Sequence, residues 1–364
     1  MKVQKIKLQD THQLHWTVIG DNYLPIEPIS QYLDYLRAIK KSPNTIRTYA
    51  HHLKIYWEYL DNKMLSWKEV AIDTIAHFVA TLNGLIEGNV VRLALEQAKR
   101  CERTTNQIVI AVASFYQYHH HAGNVKEKAF HHWKKAFYTN YSFKPLLHHL
   151  SKSRNKRHLI LKLKEKKLLC KVIEPTVVKA MVAGCKRLRD KLLICLLYET
   201  GCRIGQALGL RHADIETFNN IIKLCHRDNN ANYARAKSRD DNILHVSSDL
   251  MQLYCDYYLQ EADEIESDYV FVNLWEGEIG KPISYNSVIT LFQRLSKKLG
   301  IHVTPHMLRH THATELIKAG WGMAHVQQRL GHKDIQTTIN TYTHLSNADL
   351  KEKYQAYLKT KESL

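Results

Sequence analysis

Within Val303–Leu345, VTPHMLRHTHATELIKAGWGMAHVQQRLGHKDIQTTINTYTHL, stand His306, Arg309, His310, His332 and Tyr342. A guanidinium, imidazoles and a phenol brought together suit a phosphodiester. Arginine can clamp two non-bridging oxygens with parallel N–H donors. A phenol, with a pKa of about 10, can attack phosphorus and leave again more readily than an alcohol. A histidine can carry the proton.

Short helices joined by tight turns must position these groups. Thr304 is a natural N-cap, and Pro305 falls where its missing N–H costs nothing. His306 and Arg309, three apart, share a helical face, while Leu308, Leu316 and Ile317 can face a core. Gly320 is a plausible stop. The next helix should end at Leu330-Gly331, which sets His332 just past a C-terminal turn, and a helix opening at Asp334 would carry Tyr342 near its end.

Upstream, the apolar helix LRDKLLICLLYE ends at Thr200-Gly201 and runs into Gly201-Cys202-Arg203-Ile204-Gly205-Gln206-Ala207-Leu208-Gly209-Leu210. A glycine turn followed by an arginine at a helix start is a reasonable anion site. Residues 213–247 read as β structure, with turn chemistry at Asn219-Asn220 and Asp228-Asn229-Asn230. Lys237, in Ala234-Arg235-Ala236-Lys237-Ser238-Arg239, lies between two of these strands, and its neighbours Arg235 and Arg239 could exchange with it by a small shift of register.

His306-Met307-Leu308-Arg309-His310, Leu330-Gly331-His332 and Tyr342-Thr343-His344, in that order and spacing, resemble the catalytic C-terminus of the tyrosine site-specific recombinases, also called phage-type integrases. The Gly201–Leu210 stretch is similar to the motif holding that family's first arginine, although many relatives carry an acid where Gln206 stands. The amide keeps an acceptor oxygen. The likeness extends from about Pro28 to about Leu358. It implies that Arg203 and Arg309 bind the scissile phosphate, His332 adds a hydrogen bond, and Tyr342 attacks to form a 3′-phosphotyrosyl link. It also implies that Lys237 protonates the departing 5′ oxygen, and that His306 accepts the phenol's proton or aligns the site. Neither metal nor nucleotide is expected, since the arginines supply the cationic clamp and no GxxxxGK[ST] loop occurs. His306 and His310 have zinc-ligand spacing, but Met307 stands where the HExxH pattern requires glutamate.

The resemblance also implies the fold class: mainly α with a small antiparallel β-sheet, a helical core-binding domain followed by a mixed α/β catalytic domain. The expected divisions are an N-terminal extension at 1–25, the core-binding domain at 26–150, a basic linker at 151–173 and the catalytic domain at 174–364. Ser30 is a candidate cap for the helix QYLDYLRAIK, and Ser42-Pro43-Asn44 separates it from a second helix bearing Ile46, Tyr49, Leu53, Tyr56, Trp57 and Leu60. The Ser-Pro-Asn-Thr turn is common in the family's core-binding domain. Further helices carry Ile75, Phe78, Val79 and Leu82, and Ile108, Val109, Val112, Phe115 and Tyr116. The aromatic stripes are expected in the core, and Arg47, Lys54, Arg100 and Arg103 on polar faces are candidate phosphate contacts. The histidines at 119–121 and 131–132 read as surface or phosphate-facing groups, because consecutive helical positions diverge. Ser248 is a candidate cap for DLMQLYCDYYLQEAD, and Gly300 should stop NSVITLFQRLSKKLG. The last helix, NADLKEKYQAYLKTK, can pack at home or on a neighbouring protomer.

With 364 residues, 45% of them hydrophobic, the chain can build two or three cores. Its formal charge of +17 favours a polyanion, nucleic acid first. Between Lys144 and Lys171 ten basic residues face the single acid Glu165, as suits a segment lying along a DNA backbone. No apolar run of 18 residues and no leader pattern occurs, so a cytoplasmic, nucleoid-associated protein is expected. The seven cysteines include no CxxC pair and read as free, largely buried thiols. The expected partners are double-stranded DNA and, in a synapse, three further copies of the chain, with accessory recombination proteins possible. A type IB topoisomerase, a DNA-binding relative without activity, and a metal-dependent nuclease are the rival readings. The N-terminal extension and the 23 histidines lean towards a mobile element's integrase or transposase.

Overall fold

The computed structural model describes residues 1–7, 14–84, 86–87, 90–91, 100–125, 163–165, 172–227, 230–234, 241–275 and 277–331. Lys237, His332 and Tyr342 lie outside them, as do the helix expected from Asp334, the C-terminal helix, His131-His132, and all of the basic stretch except Leu163, Lys164 and Glu165. The chain divides into two compact units, Met1–Lys167 and Leu168–Leu364.

The N-terminal unit opens with an antiparallel pair, β1 (Lys2–Lys7) and β2 (Leu14–Ile19), in which Val3 faces Val18. Helices α1 (Glu27–Ala38), α2 (Pro43–Asn62), α3 (Ile72–Leu82) and α4 (Glu102–His121) follow, with a short pair β3 (Ile86–Glu87) and β4 (Val90–Val91) between the last two. Ser42 caps α2 by accepting the Thr45 N–H at 3.2 Å. Ser30 does not cap α1. That helix starts four residues earlier in sequence, with Pro28 in its first turn, and the Ser30 hydroxyl pairs instead with Thr17 at 3.0 Å. The aromatic stripes meet in one core. Tyr56 and Tyr116 pair through their hydroxyls at 2.8 Å, and the Tyr116 hydroxyl donates to the Trp67 carbonyl at 2.8 Å. His119 is a correction to the surface reading. It is fully buried against Trp67 and Phe115, with Nε2 at 3.0 Å from the Pro28 carbonyl oxygen and Nδ1 at 3.0 Å from Asn124. Helix packing turned its side inward, and the imidazole's two ends found partners there.

The C-terminal unit is built around α6 (Leu188–Thr200), which follows α5 (Pro175–Gly184). Leu192, Leu193, Ile194, Leu196 and Leu197 are all buried, because α6 is flanked by α5, by α8 (Ser248–Tyr257) and by α10 (Pro305–Lys318). After the single turn α7 (Ile204–Ala207) comes a three-stranded antiparallel sheet, β5 (Ile215–Glu216), β6 (Ile221–Leu224) and β7 (Asn242–His245), in that spatial order. The strands are shorter than residues 213–247 suggested, and Phe218 stands fully exposed in the β5–β6 turn, where Asn220 takes φ +52°. The cap of α8 is Ser247, one residue before the expected Ser248. Its hydroxyl accepts the Leu250 N–H, while its own N–H and hydroxyl donate to the Glu199 carboxylate. Helix α9 (Tyr285–Leu299) stops at Gly300, φ +67°, and α11 (Met323–Leu330) stops at Gly331, φ +61°. Helix α10 serves two cores: Leu308 joins the main one, whereas Ala313 and Ile317 meet Val326 and Leu330 of α11 in a small separate one. Cys101 is exposed at the start of α4, against the expectation of burial, while Cys185 and Cys202 are buried. No helix among the described residues is long and apolar enough to cross a membrane.

Candidate active site

Three of the six expected reacting residues are described: Arg203, His306 and Arg309. Arg203 sits just before α7, where Gln206 Oε1 accepts its backbone N–H at 2.9 Å. The uncharged amide thus closes the first turn of α7 together with the backbone, as the Gln206 and Ala207 N–H groups donate to the Arg203 carbonyl at 2.8 Å and 3.1 Å. Arg309 lies on α10, whose first turn is capped by Thr304 with Pro305 behind it. Its guanidinium is buried rather than open: residue 309 is 2% exposed. Nη1 donates to the Gly201 carbonyl at 2.7 Å and Nη2 to the Leu330 carbonyl at 2.8 Å. Arg203 Nη1 reaches the next carbonyl, Gly331, at 3.4 Å. Two arginines from distant parts of the chain are therefore brought to one dipeptide, Leu330-Gly331, which immediately precedes His332 in sequence. Charge-assisted bonds of this kind are the stronger class, and the arginine fork allows one side chain to serve several acceptors.

The turn beneath the arginines tolerates only glycine at position 201. Its φ is +60°, and a Cβ there would lie 2.7 Å from His312 Cδ2 and 2.9 Å from Leu330 Cδ2. His306 is exposed on the first turn of α10, and its ring stands 4.3 Å from that of His310, centroid to centroid. Sharing a helical face with Arg309 did not give the two side chains the same environment. Arg309 is drawn between α6 and the end of α11, while His306, one turn earlier, meets solvent. Among the described residues no three His, Cys, Asp or Glu side chains gather closely enough to hold a metal ion.

Two histidines of α10 are held neutral. Burial first, then the charges of His306 and Arg309, push His310 down to about 4. Burial first, then the charges of Arg329 and Arg309, push His312 down to about 4. In the unfolded chain each takes its proton near its ordinary value of 6.5. Both folded values are depressed, so this contribution to stability is complete above pH 6.5 and is lost as the pH falls towards 4. Each group contributes a slope of about 1.4 kcal/mol per pH unit in that window. The melting temperature measured from pH 7 down to 5 should fall accordingly, and less steeply in His312→Gln; equal slopes would remove His312 from the account.

His312 and Arg329 were not among the residues singled out in the sequence. A basic residue in the last turn of a helix reads as a complement to the helix dipole, and nothing local pairs it with a histidine 17 positions away. In the structure Arg329 Nε donates to His312 Nε2 at 3.1 Å.

A family model described as "Phage integrase family" matches residues 171–349, and one described as "Phage integrase, N-terminal SAM-like domain" matches residues 29–123. The chain is 42% identical over 363 residues to transposase A from transposon Tn554 of Staphylococcus aureus, covering 100% of this chain and 99% of that protein. It is 27% identical over 323 residues to the tyrosine recombinase XerD of Halalkalibacterium halodurans, covering 86% of this chain and 91% of that one. The fold is shared with the Tn1549 transposon integrase, solved in complex with transposon right end DNA, at a TM-score of 0.64 and 15% identity, covering 91% of this chain and 99% of that one. It is shared too with the XerH site-specific recombinase bound to palindromic difH substrate, at a TM-score of 0.62 and 17% identity, covering 91% and 95%. Sequence likeness running the whole length of the chain, on a fold common to these structures, means that this protein belongs to the phage integrase family of tyrosine recombinases.

Proposed function

We propose that this enzyme cleaves and rejoins DNA as the transposase of a mobile element, through a covalent link at Tyr342. The observation that carries the reading is the meeting of Arg203 and Arg309 at Leu330-Gly331. It joins the two cationic groups to the segment leading into His332, as a clamp on one phosphate requires. The full-length likeness to a transposase supports the mobile-element role over the other duties of the family.

In this reading Arg203 and Arg309 stabilise the charge on the non-bridging oxygens as phosphorus becomes five-coordinate, and His332 adds a hydrogen bond. The Tyr342 oxygen forms the new P–O bond, the bond to the 5′ oxygen breaks, and Lys237 gives that oxygen its proton. His306, exposed at the start of α10, accepts the phenol's proton or orders the site. The ester energy stays in the protein–DNA bond, so a 5′ hydroxyl of another strand can reverse the reaction without nucleotide or metal. The N-terminal helices form the core-binding domain, and the basic segment at 151–173 follows the DNA backbone as a linker. Four protomers would hold two duplexes in the synapse.

The test is covalent trapping on nicked duplexes made from the ends of the DNA segment that carries the gene, with chelator present and nucleotide absent. A denaturant-resistant adduct whose digested peptide contains Tyr342 is the expected product, followed by joining of two duplexes. Adduct on another residue, or dependence on a divalent metal, would refute the reading. Relaxation of supercoils without joining would move the enzyme to the topoisomerases.

A further inference from the structure

Arg329, in the last turn of α11, is half-buried and directs its guanidinium at three other elements. Nε donates to His312 Nε2 of α10 at 3.1 Å, and Nη2 donates to the Glu199 carbonyl of α6 at 3.2 Å and to the His245 carbonyl of β7 at 3.1 Å. The same turn is held a second time, since Asn242 Nδ2 of β7 donates to the Arg329 carbonyl at 3.0 Å and to that of Gln328 at 3.4 Å. Each element so tied leads, within a few residues, to one of the reacting groups proposed above. Glu199 precedes Gly201 and Arg203. Asn242 follows Lys237 by five positions. His312 follows Arg309 by three. Arg329 itself precedes His332 by three.

We propose that Arg329 is a positioning residue of the strand-exchange site, the hub through which the turn before His332 is set against α6, which leads into Arg203, against β7, and against α10, which carries Arg309. The inference rests on the roles given to those residues above. The guanidinium suits the task because one Nη carries two hydrogens, enough for two carbonyls, while Nε points a third donor sideways at the imidazole. A lysine ammonium has three donors but a single centre, and it cannot span acceptors on three elements. His312 is the only one of the three acceptors supplied by a side chain, so it is the one that mutation can alter. Burial and the neighbouring guanidinium keep its Nε2 unprotonated and able to accept.

The experiment compares the single-turnover rate of adduct formation at saturating DNA, the DNA dissociation constant and the melting temperature, on the nicked duplexes described above. Arg329→Lys should bind DNA within about two-fold of the unaltered protein and melt somewhat lower, since lysine gives up the bond to at least one element, yet at a temperature where both proteins are folded it should form adduct roughly 30- to 100-fold more slowly, as a displacement near 1 Å does elsewhere. His312→Phe, which keeps the ring volume but removes the acceptor, should slow the step similarly. His312→Gln, which offers Oε1 to Arg329 Nε, should recover the rate to within about three-fold. Should Arg329→Lys fail to fold, the contrast between the two His312 variants decides. An unaltered rate in Arg329→Lys, equal rates in His312→Phe and His312→Gln, or rate, affinity and melting temperature falling in step, would each overturn the proposal. If the unaltered protein makes no adduct at Tyr342, the site reading falls and this inference with it; if it does and the variants match it, this inference alone falls.

Discussion

Tyr342→Phe should bind its DNA as tightly as the unaltered protein and form no covalent adduct. The substitution removes one oxygen and leaves the ring, so the basic surfaces that neutralise phosphates are untouched and affinity should hold within about two-fold. Without the phenol no side chain at that position can form the P–O bond. The readout is a denaturing gel of the nicked-duplex reaction beside a binding titration. Adduct surviving the substitution would place the nucleophile elsewhere. Loss of binding together with loss of adduct would make Tyr342 a contact residue instead.

Arg309→Lys should lose both rate and stability, whereas Arg203→Lys should lose mainly rate. Arg309 is buried and holds two carbonyls at 2.7 Å and 2.8 Å, those of Gly201 and Leu330, from two distant parts of the chain. One ammonium cannot reach both, and each bond of this charge-assisted kind is worth about 1.5–3 kcal/mol. A loss of about 2 kcal/mol or more in unfolding free energy is expected, with adduct formation slowed by about 10²- to 10³-fold for the missing phosphate donor. Arg203 makes a longer contact, 3.4 Å, with the Gly331 carbonyl, so its replacement by lysine should move the melting temperature less for a similar loss of rate. Urea denaturation and single-turnover cleavage separate the two effects. An Arg309→Lys protein as stable as the original would show that the two carbonyl contacts contribute nothing to the fold.

The elements of the C-terminal unit were largely readable because their boundaries are local chemistry. Thr304 with Pro305 and Gly331 each announce a helix end through partners three or four residues away, Gly300 does so by its φ of +67°, and the structure has helix ends at all of them. Where several residues nearby could cap, sequence chose wrongly. Pro28 displaced Ser30 at the start of α1, and Ser247 displaced Ser248 at α8, where the Glu199 carboxylate holds it from another helix. His119 looked like one of three surface imidazoles, and only the packing of α4 against α1 and the Trp67 turn buried it.

The order and spacing of Arg203, Lys237, His306, Arg309, His332 and Tyr342 were in the sequence alone, and they sufficed to point to the family and to propose a chemistry for it. Residue type dictates which side chains can clamp a phosphate, carry a proton or attack phosphorus. What only the tertiary structure decided is the frame behind them: that Arg309 is buried between two carbonyls, that Arg203 meets the same turn, and that Arg329 and His312 tie that turn to β7, α6 and α10. Those bonds join residues far apart along the chain, and most end on backbone oxygens. Every residue but its side chain contributes the same carbonyl, so no pattern of letters can mark which of them an arginine will find.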